Sequence, residues 1–200
     1  VASWDMFDGV SNTNLVTNGT FDDKGDLTYG TEFVGLSELP GWSTVAGDGS
    51  FKLYNSGGIN DANYLEMKDG TLNCSISQSF LIDAFRAGVE YEIRWYGKMG
   101  TSTLATAMFG GGTHWLINNS SNSSWSESIG YIAWQTLSHG TLGQEWKEGR
   151  WRFTADATIA AQINTLGFIN TGGDGKTANI DNISIRPLGK TKARIGKLEG

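Results

Sequence analysis

The sequence predicts an all-β sandwich, and three observations predict it. Apolar residues recur at every second position along several short runs, which is the spacing of half-buried strands. Glycine is abundant, at 28 of 200 residues, and with Asn and Asp it punctuates those runs as turn residues do. Only residues 82–87 and 155–161 carry a helical pattern, and both stretches are short. About ten strands with turns between them bury a face each by stacking as two antiparallel sheets.

Taken in chain order, the strands are expected at 14–18, 50–54 and 64–67. Cys74, Ile76, Gln78 and Phe80 then alternate with Ser75, Ser77 and Ser79. Next, Tyr91, Ile93 and Trp95 share one face, and Glu92, Arg94 and Tyr96 share the other. Runs at 104–109 and 131–137 follow, after which Trp151 and Phe153 alternate with Arg150, Arg152 and Thr154. The last two strands are expected at 163–169 and 179–185, with turns at Gly47-Asp48-Gly49 and Gly172-Gly173-Asp174-Gly175. Trp42, Trp151 and Cys74 are expected in the core. The chain divides into an N-terminal extension at 1–13, one domain at 14–186 and a basic tail at 187–200.

Composition removes several function classes. Aromatic residues reach 12%, with 8 Trp, too much apolar surface for a disordered chain. The single Cys74 excludes a disulfide framework and a cysteine-rich zinc site. Residues 1–185 carry 20 acidic and 10 basic side chains, whereas 186–200 carry five basic ones against Glu199. An acidic body repels phosphate, so nucleic acid is not an expected partner. Residues 99–126 lack charge but are rich in Gly, Ser, Thr and Asn, whose polar groups lipid cannot satisfy, so membrane insertion is not expected. No secretory leader is legible at Val1-Ala2-Ser3-Trp4-Asp5. The chain opens without Met, as a processed or excised product does.

Catalytic signals are absent. His114 and His139 stand in no metal-binding spacing, and no Gly-x-Ser-x-Gly elbow occurs. No carboxylate pair is marked out for glycosidic chemistry. The glycines at 47–49 and 110–112 precede no helical pattern, so they read as turns rather than phosphate loops. The expectation is a protein that is not an enzyme. Calcium is the expected ion, because Asp22, Asp23 and Asp26 fall within five residues and hard cations take such oxygen-rich turns. Asp181 sits between Ile180 and Ile183, and a buried carboxylate needs a partner charge or a metal. A solvated acidic turn plus an Asp bonded to backbone is the alternative.

Asn14-Leu15-Val16-Thr17-Asn18-Gly19-Thr20-Phe21-Asp22 resembles the opening of carbohydrate-binding modules of the family 4, 9, 16 and 22 type. Pro40-Gly41-Trp42, Gln78-Ser79-Phe80, Tyr91-x-Ile93-x-Trp95, Trp146…Trp151-x-Phe153-Thr154 and the segment 179–185 resemble the later motifs of that pattern, in order. The resemblance covers roughly residues 14–186. It implies a β-jelly roll and a structural Ca2+ held by Asp22, nearby carbonyls and Asp181. It also implies a glycan-binding groove on a concave sheet. Such folds occur as well on phage heads, tail fibres and bacterial surface proteins, so fold resemblance does not fix function. Two features depart from the pattern: a longer, Trp-rich stretch at 110–146, and the basic tail.

Two functions follow from these residues. The first is a non-catalytic module whose partner is a poly- or oligosaccharide. Sugar CH faces stack on aromatic rings, while their hydroxyls need polar partners. Arg94, Tyr96, Trp115, Trp125 and Trp134 are the expected binding residues. The second is a structural, decoration or fibre protein of a phage particle or cell-surface assembly. The nearly uncharged 99–144 stretch would suit burial against a neighbour, and the basic tail would suit docking on an acidic body, so self-association or neighbouring subunits are the expected contacts. Either function places the protein outside the cell or on a virion or cell surface.

Overall fold

The computed structural model describes residues 13–35, 38–71, 74–99, 105–111, 137–138, 145–161, 163–170 and 175–188. Alternating side chains organise these residues into eleven strands: β1 (Glu32–Phe33), β2 (Ser43–Gly47), β3 (Ser50–Tyr54), β4 (Tyr64–Lys68), β5 (Cys74–Phe80), β6 (Glu90–Met99), β7 (Ala105–Gly111), β8 (Leu137–Ser138), β9 (Lys147–Thr154), β10 (Asn164–Asn170) and β11 (Thr177–Pro187). They form a six-stranded sheet in the order β1-β3-β4-β11-β6-β9 and a five-stranded sheet in the order β2-β5-β10-β7-β8. Neighbouring strands pair antiparallel. From β4 to β7 and from β8 to β11 the chain crosses from one sheet to the other at each step, which is the winding of a jelly-roll sandwich.

The core lies between the sheets. The six-stranded sheet contributes Phe51, Leu53, Leu65, Met67, Tyr91, Ile93, Trp95, Phe153, Ile180, Ile183 and Ile185. Facing them are Cys74, Ile76, Phe80, Leu166 and Phe168, with Trp42 beside them. Trp95 meets Phe168 across the sandwich with ring centroids 6.2 Å apart, and Trp42 meets Phe168 at 6.3 Å. Each such buried side chain stabilises the fold by about 1.5–3 kcal/mol. Gly149 is fixed by this packing, because a Cβ there would stand 2.1 Å from the Trp95 ring, its cross-strand neighbour.

Two local expectations change, and a third holds over part of its length. Residues 82–87 form turns rather than a helix, with Asp83 left-handed at φ 67°. The segment instead inserts Phe85 against Phe80, Tyr91 and Phe153, and Arg86 N donates to the Tyr91 hydroxyl at 2.8 Å. Residues 155–161 supply one helical turn, α1 (Ala157–Ala160), capped by Asp156. Residues 14–18 run beside β11 without becoming a strand, because Asn14 Oδ1 accepts from both Val16 N and Ile185 N and Asn18 turns left-handed. Trp42 and Cys74 are buried as expected, whereas the Trp151 side chain, the extension at 1–12 and the tail from 189 lie outside the described residues. Among the described residues no helix is long and apolar enough to cross a membrane.

Candidate functional site

Motifs far apart in sequence close on one another near the chain start. The Gln78 amide clamps two segments: its Oε1 accepts from Thr17 N at 2.7 Å, and its Nε2 donates to Thr17 O at 2.9 Å and Gly41 O at 2.7 Å. The buried Trp42 indole donates to Asn18 O at 3.0 Å, which satisfies its one polar atom. Gly19 lies so close to β11 that a Cβ would stand 2.0 Å from Ile183 O. The Asn-Gly, Pro-Gly-Trp and Gln-Ser-Phe motifs therefore build a junction between the chain start, β5 and β11.

Among the described residues, charged side chains and a cleft lie together on the outer face of the six-stranded sheet. Core residues alternate with outward ones, so the register sets polar side chains in rows. One row reads Arg186, Glu92 and Arg152 across β11, β6 and β9, and the next reads Ser184, Arg94 and Arg150. Glu92 is only 4% exposed, yet Arg152 Nε donates to it at 2.7 Å, Arg94 Nε donates to it as well, and Arg150 Nε lies 3.7 Å away. Burial alone would raise its pKa, but the Arg152 and Arg94 guanidiniums hold the carboxyl below the ordinary glutamate range. Glu148 receives Arg150 at 3.1 Å and Arg94 at 3.6 Å. Beside this network opens a cleft of about 410 Å3, lined by Glu92, Arg94, Tyr96, Glu148, Asn182, Ser184, Arg186, Pro187 and Leu188. Asn182 reaches its place through a bulge in β11, where its φ is 51°.

The other end of the same face is aromatic. Tyr54 and Tyr64 stack at 4.7 Å with their planes 8° apart, and Trp146 meets Tyr64 edge-on at 5.6 Å. Lys98 Nζ caps both Tyr64 and Trp146, at 5.3 and 4.8 Å from the ring centroids. Burial pushes the Tyr64 phenol up to about 12. Trp146 Nε1 donates to Gly57 O at 2.9 Å, latching residues 55–63 onto the sheet.

Beneath that loop lies Asp181, 1% exposed, with Ile59 N donating to Oδ2 at 2.7 Å and Asn182 N to Oδ1. Burial and the charge of Asp22 push its carboxyl up to about 6, against backbone hydrogen bonds that lower it. The Asn63 amide reaches Phe21 O at 3.2 Å and Asp22 Oδ1 at 3.1 Å, gathering oxygens at the same place. Among the described residues no cluster of three or more His, Cys, Asp or Glu side chains forms. Asp22, Asp181 and the Phe21 carbonyl are hard oxygen donors of the kind Ca2+ takes, and such an ion would relieve a desolvated carboxylate. The Asn63 amide nitrogen and the N–H groups of Ile59 and Asn182 bond those oxygens.

No protein-family model matches the chain, and no curated protein matches it in sequence. Solved structures do match. The tailspike protein 4 enzymatically active domain of bacteriophage CBA120 superimposes with a TM-score of 0.54 at 15% identity, over 88% of this chain and 21% of that one. The CBM22-2 xylan-binding domain of Xyn10C from Paenibacillus barcinonensis gives 0.51 at 11% identity, over 79% of this chain and 99% of that one. A Clostridium thermocellum xylanase 10B structure with its CBM22-1 and GH10 modules gives 0.52 at 14% identity, over 91% of this chain and 29% of that one. The chain shares a β-jelly-roll fold with these structures. This chain spans only a minor part of the tailspike and xylanase chains, and nearly the whole of the xylan-binding domain.

Within this jelly roll, Arg94 and Tyr96 come together at one cleft, and Asp22 and Asp181 approach one loop. Trp115, Trp125 and Trp134 lie outside the described residues. So does most of the 99–144 stretch on which the assembly reading rests, apart from β7, β8 and Met99. Sequence reasoning missed Glu148, Ser184, Asn182 and Arg186 as cleft residues. The alternation of Arg150 and Arg152 with Trp151 and Phe153 was the available signal for an outward basic row. Nothing in sequence placed β9 beside β6, or Arg186 opposite Glu92.

Proposed function

We propose that this protein is a non-catalytic carbohydrate-binding module that engages a glycan at the cleft around Arg94 and Tyr96. The observation that carries the reading is the composition of that cleft: a phenol ring, a guanidinium, an amide and a hydroxyl around one open space of about 410 Å3. A sugar ring offers CH groups to Tyr96, while Asn182, Ser184 and Glu148 complement its hydroxyls. Both carboxylates that line the cleft, Glu92 and Glu148, are paired with arginines. Glu92 is engaged by arginines and held ionised, which suits a scaffold rather than an acid catalyst. A Ca2+ at Asp22 and Asp181 would hold residues 55–63 against the sheet, with Phe21 O and Asn63 beside it.

The test is affinity electrophoresis through gels carrying neutral and acidic polysaccharides in turn. Retention by at least one polysaccharide is expected, and Tyr96→Ala should weaken it about tenfold, the worth of one aromatic stacking contact, with the melting temperature kept. Equal retention of Tyr96→Ala and the parent would remove the cleft from the binding site. No retention in any gel would remove the function.

A further inference from the structure

Two guanidiniums, Arg94 and Arg186, line the cleft beside Glu92 and Glu148, and they stand differently toward those carboxylates. Arg94, Arg150 and Arg152 converge on Glu92 and Glu148, and Glu90 adds a third carboxylate near Arg152. Arg186 is the fourth guanidinium. It is exposed, lines the cleft opposite Glu92, and makes no ion pair or hydrogen bond among the described residues. Arg94 spends Nε on Glu92 and one terminal nitrogen on Glu148, which leaves it further donors at the cleft. Glu92 fixes the fan of three guanidiniums from beneath, so their geometry does not have to be organised when a ligand arrives.

From this arrangement we infer that the cleft selects an acidic glycan, with a uronate carboxylate seated between Arg94 and Arg186 and its pyranose ring on Tyr96. This rests on the glycan-binding reading above and names its ligand class. A planar carboxylate matches the guanidinium fork, and such charge-assisted hydrogen bonds are about twice as strong as neutral ones. The whole chain carries a net charge of −6, so general attraction to a polyanion is not available and the selectivity is local.

The experiment compares retention of the full chain in polygalacturonate, unsubstituted xylan and dextran sulfate gels, at low and at physiological salt. Polygalacturonate should retain it most, and added salt should weaken that retention. Arg186→Glu should lower it about tenfold or more, with Arg186→Lys intermediate and melting like the parent, since the Arg186 side chain has no partner to lose among the described residues. Firm retention in xylan, unaffected by Arg186→Glu, would overturn the acidic class and leave the glycan-binding reading standing. Preference for dextran sulfate over polygalacturonate would overturn the carboxylate assignment. Polygalacturonate retention that survives Arg186→Glu would place the polyanion elsewhere and overturn the site. Absence of retention in every gel would overturn both readings.

Discussion

The two ends of the outer face of the six-stranded sheet use similar side chains to opposite ends. At the β3–β4 end, Tyr54, Tyr64, Trp146 and Lys98 satisfy one another, with rings stacked, a cation over two of them and the indole N–H on Gly57 O. At the β6–β9–β11 end, Tyr96, Arg94 and Arg186 line open space beside the Arg150 and Arg152 ion pairs, and the Arg186 side chain remains unpaired among the described residues. Aromatic and basic residues alone therefore do not mark a binding site. What separates a latch from a site is whether the polar and π surfaces are already spent.

The largest effect is expected at the latched end. If Ca2+ joins Asp22 and Asp181 beneath the loop, chelation should lower stability by about 3 kcal/mol from a state with ion at roughly a hundredfold above its dissociation constant. Thermal melts with Ca2+ and then with chelator would show it, and superimposable melts would remove the metal.

A smaller loss is expected at the open end. Glu92→Gln strips three arginines of their shared counter-charge and should cost about 2 kcal/mol, below the figure for a fully buried pair because the arginines are half exposed. The same residue sets an acid limb. Its folded-state pKa is lowered, so its stabilisation is complete above the ordinary glutamate range and drains away as pH falls toward the folded value. Urea midpoints against pH should show that limb in the parent and lack it in Glu92→Gln. A parallel pair of curves would mean that Glu92 does not hold the network.

The smallest effect sharpens the contrast itself. Trp146→Ala removes one edge-on ring contact, one hydrogen bond and one of the two rings beneath Lys98, worth about 1.5 kcal/mol together at this exposed edge. Polysaccharide retention should stay unchanged, because Trp146 faces the latch and not the cleft. Lost retention with the fold intact would show that both ends bind ligand.

Much of the architecture was legible from residues alone. The alternation in β6 set which side chains face the core, because a strand has a period of two, whereas in β5 Ser75 and Ser77 on the opposite face are buried as well. Tyr91, Ile93 and Trp95 are buried, and Arg94 and Tyr96 do share the opposite face. β1 and β2 escaped notice because they are short and carry no clear alternation. The 82–87 segment misled because its Ala, Phe and Arg content favours helix locally, whereas burying Phe85 among three other rings outweighs that propensity.

The site divides the same way. Sequence by itself determined the all-β class, the core and outward faces of clearly alternating strands such as β6, and the residue types available for sugar, since these depend on local periodicity and side-chain chemistry. Tertiary structure alone decided which rows meet. Antiparallel pairing of β11, β6 and β9 brings Arg186, Glu92 and Arg152 into line from positions up to 94 residues apart, and a bulge at Asn182 turns β11 between Asp181 and the cleft. Strand order and register arise from packing two whole sheets around a common core, and no local stretch of sequence carries that information.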